Sequence, residues 1–328
     1  MQRARDRDAL KPRGQRGAAL LLAMMILALV TTVTAGMVWH QRKAIEVEAA
    51  ERARVQAGWI LRGALDWSKV ILREDLRAAQ RRSSLYTWGR DAWGTPLAEA
   101  SLSSFLAADK NNNADGDLDA SISGAIVDAQ SKFNLRALVD GAGKPQAAPV
   151  AGLQRLADLV GAPGNTATRL AEALGQTVLP PGDPSGQGGW LRPETLADMG
   201  WLGLDAITLA RLSPYVELLP QPTTVNANTA PREVLVAAID GLDSSTAERL
   251  VQQRQRAPFT SLDALRTAIG GTVKLDETRV GVSSSWFEVS GRLRLEERVV
   301  EERSLLQRDG DRVLVRRRER HAFDTAGP

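Results

Sequence analysis

Gly17-Ala18-Ala19-Leu20-Leu21-Leu22-Ala23-Met24-Met25-Ile26-Leu27, continuing uncharged to Val38-Trp39, decides how the rest of the chain is read. An α-helix needs about 20 apolar residues to cross a bilayer, and this run is long enough. Arg3, Arg5, Arg7, Lys11, Arg13 and Arg16 precede it, against only Asp6 and Asp8. That excess of basic residues holds the N-terminus in the cytoplasm, so everything after His40 is expected to be exported. A cleaved secretory signal fits poorly, because its apolar region is about 7–15 residues long and ends in small residues. A plain signal anchor fits as well as any other reading of the run alone.

The junction Arg16-Gly17-Ala18 is sharper. A basic leader ending in glycine directly before an apolar run resembles the type IV prepilin site. There a membrane peptidase cuts after the glycine, on the cytoplasmic side, and methylates the new N-terminus. The resemblance implies cleavage between Gly17 and Ala18, with the apolar helix retained. Most pilins carry Glu at the fifth mature position, where its carboxylate offsets a neighbouring subunit's N-terminal amine. Here that position is Leu22. An uncompensated charge in hydrocarbon costs several kcal/mol, so this chain could not neutralise such a neighbour. Either it is not a pilin, or it is the pilin-like subunit that lacks the Glu.

Composition narrows the rest. Of 328 residues, 43% are hydrophobic and 25% charged, which suits a folded, soluble remainder. The net charge of +3 is small and loaded at the ends, in the leader and in Arg316, Arg317, Arg318 and Arg320, so it makes no general case for nucleic acid. The absence of cysteine excludes disulfides, thiolate metal sites and cysteine nucleophiles. The two histidines, His40 and His321, lie outside any pocket-forming segment, and the chain reads as a non-enzyme.

Beyond the membrane the helix is expected to continue from Gln41 to about Ala79, with Leu61, Leu65, Ser68 and Leu72 recurring at helical spacing. Residues 83–134 read as loops and short strands, with Ile126-Val127-Asp128-Ala129-Gln130-Ser131 as a strand running into a turn. Asp109, Asn111, Asn113, Asp115, Gly116, Asp117 and Asp119 follow the spacing of a calcium loop, but Ile122 stands where the closing acidic ligand belongs. A plain Asn/Asp-rich turn is the preferred reading of them. Residues 136–275 are expected to be mostly helical, interrupted by the Pro/Gly-rich stretch Leu179–Gly189. Phe287, Val289, Leu293 and Leu295 then alternate with Glu288, Arg292, Arg294 and Glu296, as in a half-buried strand. Ser304–Arg308 and Arg312–Arg316 flank Asp309-Gly310, a hairpin signal. The whole is α+β.

The most informative segment is Val225-Asn226-Ala227-Asn228-Thr229-Ala230-Pro231-Arg232-Glu233-Val234-Leu235. Thr229 can cap a helix opening at Pro231, Gly241 can end it, and Ser245 with Glu248 is expected to form a capping box for the next. A third helix starts within Arg256–Leu265. This is the pattern of a helix-hairpin-helix module at about 223–270. Such modules grip phosphate through a Gly-hydrophobic-Gly turn, but here Asp243 replaces the second glycine. Five arginines in this segment are balanced by five carboxylates, so nucleic-acid binding is not expected.

Taken with the leader, IVDAQSKFNL, LSPYVELLPQPTTVNANTAPREVL and APFTSLDAL resemble the general secretion pathway protein K family, the large minor pseudopilin of type II secretion. The resemblance covers nearly the whole mature chain. It implies a pilin-like fold, with a long N-terminal helix packed on a small antiparallel sheet, carrying a large inserted all-helical domain. The parts are then a leader (1–17), a transmembrane helix (18–39), its periplasmic continuation (40–80), strands and loops (81–135), the insert (136–275) and C-terminal strands (276–328). It implies a non-enzymatic, single-pass inner-membrane protein with a periplasmic body, placed at the tip of the pseudopilus, where it helps start assembly and export folded proteins. The implied partners are the I- and J-type minor pseudopilins, the major pseudopilin, the prepilin peptidase, the inner-membrane platform and the exported proteins. Many members bind calcium. Their acidic Asp-Trp-x-Asp-x-Asp stretch is missing here, since Ala173-Leu174-Gly175-Gln176 leads straight into the Pro/Gly-rich loop, so calcium could instead use Asp109–Asp119. The rival reading is a membrane-anchored DNA receptor of the competence type, which would share the hairpin module.

Overall fold

The computed structural model describes residues 15–82, 84–102, 120–179, 189–270, 273–295 and 298–324. The calcium-loop candidates Asp109–Asp119, most of the leader and most of the Pro/Gly-rich stretch lie outside them. By internal contacts the chain divides into two units, up to Trp59 and from Ile60 onward.

Helix α1 spans Gln15–Arg81 without interruption. From Leu20 to Trp39 its large apolar side chains are exposed on every face, from 45% for Val38 to 69% for Leu21. A helix that is apolar all round suits lipid. Its hydroxyls are satisfied within the helix: Thr31 Oγ1 donates to Leu27 O (2.9 Å), Thr32 Oγ1 to Ala28 O (3.0 Å) and Thr34 Oγ1 to Val30 O (2.7 Å). That is what hydrocarbon, which offers no partner, requires.

In the second unit the same helix becomes amphipathic. Leu61, Leu65 and Leu72 are buried, as their spacing predicts, and Leu65 and Leu72 join Trp93, Phe287, Val289 and Leu306 in one core. Each such side chain contributes roughly 1.5–3 kcal/mol on burial. The sheet beneath is five-stranded and antiparallel, ordered β1 (Leu97–Ser101), β2 (Ala120–Asp128), β7 (Trp286–Leu295), β8 (Arg298–Asp309), β9 (Arg312–Asp324). Gly291 lets the helix come close, because a Cβ there would lie 3.1 Å from Leu61 Cδ2. The hairpin joining β8 and β9 turns at Gly310-Asp311, one residue later than expected, with Asp309 paired to Arg312 and Gly310 at φ +54°. The basic run is structural: Arg318 and Arg320 of β9 both pair with the buried Glu302 of β8, at 3.2 and 2.5 Å.

Strands β2 and β7 are direct neighbours, with Asp128 opposite Phe287, although residues 129–285 separate them in sequence. That whole segment is an insertion, so the expected bounds at 136 and 275 fall inside it. It is mainly helical: α2 (Ala147–Val160), α3 (Thr166–Gln176), α4 (Ala206–Leu212), α5 (Arg232–Ala238), α6 (Ser244–Arg256) and α7 (Leu262–Ile269). It is not all-helical, because two short parallel pairs tie it together. These are β3 (Phe133–Asn134) with β4 (Val216–Glu217), and β5 (Val225–Asn226) with β6 (Val280–Gly281). Its own core includes Leu138, Leu153, Leu174, Met199, Leu235 and Leu250.

Candidate functional site

Where the chain leaves the sheet and where it returns, one carboxylate gathers the strands. Asp128 closes β2 and is 2% exposed. Its Oδ1 accepts the Gln130 N–H (2.8 Å), capping the short 3₁₀ turn that follows. Its Oδ2 accepts three more donors: Asn226 Nδ2 (2.9 Å), Ser284 Oγ (2.6 Å) and Thr229 Oγ1 (2.5 Å). Burial pushes the Asp128 carboxyl up, and the four donors pull against it without overcoming it.

The surrounding amides extend this network. Asn226 Nδ2 also donates to Thr87 O (3.1 Å), while its Oδ1 accepts the Asn228 N–H (2.9 Å). Asn228 spans Phe259, accepting its N–H at 2.8 Å and donating to its carbonyl at 3.0 Å. Gln130 donates to Thr224 O (2.9 Å) and accepts the Ser285 N–H (2.7 Å), so the outgoing and returning chains are stitched to each other. Beside them Arg308 of β8 pairs with Asp75 of α1 at 2.8 Å, with both side chains under a tenth exposed. The same guanidinium donates to Thr87 Oγ1 (3.0 Å) and Ser284 O (2.7 Å) and lies 4.5 Å from the centre of the Phe287 ring. Burial lowers its pKa, and Asp75 works against that shift. Helix, sheet and insert thus meet at one buried polar knot whose groups satisfy one another, and Asp128, Asn228 and Thr229 also border a pocket of about 290 Å³ with Trp88, Trp93 and Arg254.

Thr229 therefore does not cap α5. Pro231 occupies that position without a side-chain bond, because the Thr229 hydroxyl is committed to Asp128. The expected Ser245/Glu248 capping box is also replaced. Asp243 caps α6, its Oδ1 accepting Ser245 N and Thr246 N, both at 2.9 Å, while Glu248 accepts Gln252 Nε2. The Ser245 hydroxyl, which also donates to Asp243 Oδ1, and then the Thr246 and Ser245 amides hold the Asp243 carboxyl far below the usual range. A turn does join α5 to α6 through Gly241 (φ +81°), but the first amides of α6, which a phosphate would need, are already taken. Nη1 of Arg254 is likewise spent, donating to Ala227 O at 2.7 Å, with burial pushing the Arg254 pKa down to about 10.

Gly17, Ala18 and Leu22 all lie within helical α1, and Leu22 is exposed. Among the described residues, no group of three or more His, Asp or Glu is gathered closely enough to hold a metal ion. Sequence reasoning missed the Asp128 knot. Its signal was present, as Asp, Gln and Asn standing between apolar neighbours in segments otherwise patterned for burial.

The long partly apolar helix, the antiparallel sheet and the insertion between adjacent strands define a pilin-like subunit with an elaborated head. A family description, type II secretion system protein K, matches residues 225–283, the segment that supplies Asn226, Asn228 and Thr229 to the knot. Type II secretion system protein K of Pectobacterium carotovorum subsp. carotovorum is 27% identical, over 96% of this chain and 99% of its own length. That of Pseudomonas aeruginosa is 28% identical over 93% of each chain. In fold, the chain is similar to one in the crystal structure of the GspK-GspI-GspJ complex from enterotoxigenic Escherichia coli. That match has a TM-score of 0.58 at 18% identity and covers 83% of this chain and 98% of the other. These likenesses support a minor pseudopilin of the type II secretion system, similar to protein K over nearly its whole length, with a single-pass membrane anchor. The DNA-receptor reading gains no support from these likenesses.

Proposed function

We propose that this chain is the tip subunit of a short periplasmic pseudopilus, held first in the inner membrane by residues 18–39 and then drawn into the filament. Leu22 carries the reading. A subunit inside the filament must offset the amine of the neighbour above it, and an apolar side chain at this position cannot. At the tip there is no such neighbour. The body after His40 is periplasmic by the charge rule that keeps the basic leader inside. Cleavage by the prepilin peptidase falls between Gly17 and Ala18.

The solved relative is seen in a complex with GspI and GspJ, and we assign the I- and J-type minor pseudopilins as this chain's direct neighbours. The major pseudopilin and the inner-membrane platform follow below, and exported proteins are moved above. The role is to start assembly and to help push folded proteins across the outer membrane. Asp109, Asn111, Asn113, Asp115, Asp117 and Asp119 are retained as a proposed calcium loop, to be tested by whether calcium raises the melting temperature and D115N/D117N removes the rise.

Full-length chain co-expressed with a prepilin peptidase and the I- and J-type pseudopilins should purify as one equimolar complex. The chain should fail to form that complex with the major pseudopilin alone. Separate elution of I, J and this chain would overturn the placement. Independently, Gly17→Ala should leave membrane insertion intact and block processing.

A further inference from the structure

The pocket beside the Asp128 knot, of about 290 Å³, is built from three parts of the chain. The loop between α1 and β1 gives Trp88 and Arg90, the end of β2 gives Val127 and Asp128, and the last turn of α6 gives Arg254 with Gln255. These walls are pinned to one another. Trp88 Nε1 donates to Arg254 O (2.9 Å), tying loop to helix, and Arg254 Nη1 donates to Ala227 O (2.7 Å), fixing the guanidinium.

The charge in this space does not balance. The charged side chains lining it are Arg90, Arg254 and Asp128. Asp128 turns its oxygens onto Gln130, Asn226, Ser284 and Thr229, and burial favours its neutral form. Asp91, next to Arg90 in the chain, accepts the Trp88 N–H, and the cations acting on it are Arg82 and Arg308. Burial lowers the Arg254 pKa, and Glu248, a carboxylate of the same helix outside the pocket, opposes the shift without overcoming it. Among the described residues, neither Arg90 nor Nε and Nη2 of Arg254 has a hydrogen bond or ion pair. Two guanidiniums therefore face one carboxylate that is already satisfied, and the pocket is left positive.

A guanidinium taken out of water without a counter-charge is costly, and a carboxylate on its free fork offsets that cost. The Trp88 indole and the exposed Val127 add an apolar flank. A carboxylate on a short aliphatic stem matches both parts of the lining, whereas a phosphate, polar on every side, leaves the apolar flank unused. The volume is at the small end for a ligand pocket, which suits one side chain.

We infer that the pocket is a docking site for an aspartate or glutamate side chain of a protein partner, its carboxylate on Arg90 and Arg254 and its stem along Trp88 and Val127. This goes beyond placement at the tip and holds wherever in the filament the chain sits.

Saturation-transfer NMR on the full chain in neutral detergent micelles, with Nα-acetyl-glutamate methylamide as the probe, tests it. The uncharged isostere Nα-acetyl-glutamine methylamide should bind roughly tenfold more weakly. Arg90→Gln should weaken the glutamate probe by a similar factor and leave the melting temperature unchanged, because that side chain holds nothing else in the fold. Gln255→Glu, at an exposed position on the rim, should plant a tethered carboxylate and block the probe. Equal binding of the two probes, or unchanged binding in both variants, would overturn the inference. So would displacement of the glutamate probe by an equal concentration of inorganic phosphate, which would make the pocket a site for free anions.

Discussion

Two stretches of the same helix carry leucines at similar density and meet opposite fates. Between Leu20 and Trp39 every large apolar side chain is exposed, on all faces. Between Leu61 and Leu72 the leucines form a buried stripe, with Leu65 and Leu72 packed among Trp93, Phe287 and Val289. Arg62, Asp66, Lys69 and Arg73 fill the turns between those leucines, so only one face can be apolar and it must find protein. The earlier stretch has no polar face, and its threonines are turned inward onto their own backbone. The difference teaches that hydrophobicity alone does not place a residue. The angular distribution of charge decides whether protein or lipid covers it.

Substitutions can break that contrast, the largest effect coming from the knot that holds the second stretch to the sheet and insert. Asp128→Ala should orphan Asn226, Ser284, Thr229 and the Gln130 amide, and lower stability by about 3 kcal/mol or more in denaturant unfolding. Leu72→Ala should cost about 2–5 kcal/mol by the same measurement, whereas Leu27→Ala should leave unfolding of the head unchanged. Ile26→Arg should do the reverse, raising the cost of membrane insertion by roughly 2.5–3.5 kcal/mol in an insertion assay without moving the head's melting point. Asp243→Ala should remove the α6 cap for about 1 kcal/mol.

The smallest effect is a pH slope. The folded Glu288 carboxyl titrates above its ordinary value of 4.5 because burial disfavours its charge, so the folded state keeps that proton to higher pH than the unfolded chain does. Its contribution is fully present below 4.5 and lost as pH rises through the folded value. Wild-type stability minus that of Glu288→Gln should therefore fall as pH rises across that window.

The helix, the Leu61–Leu72 stripe, the alternation of β7 and the β8–β9 hairpin were legible because each is a local period or a local turn. The knot was not. Asp128 meets Thr229 and Ser284, more than a hundred residues away, and no periodicity records a contact at that range. The same distance explains the insert boundaries: the chain departs through a short 3₁₀ turn and returns through β6 and a loop, neither of which has a repeating pattern. The caps were misread for a related reason. Thr229 and Ser245 are good capping residues by type, but Asp128 claims the first hydroxyl, and Asp243 starts α6 two residues earlier, which leaves Ser245 inside the first turn with its hydroxyl on Asp243. Of the proposed processing site, the order Arg16-Gly17-Ala18 is visible only in sequence, and the structure adds that Gly17 and Ala18 are helical.

Intact mass and N-terminal sequencing of the full chain, co-expressed with a prepilin peptidase, test the account most directly. The product should begin at Ala18, carry a methylated amine and retain the whole apolar helix. A product that still begins at Met1, or one cut on the far side of Trp39, would contradict it.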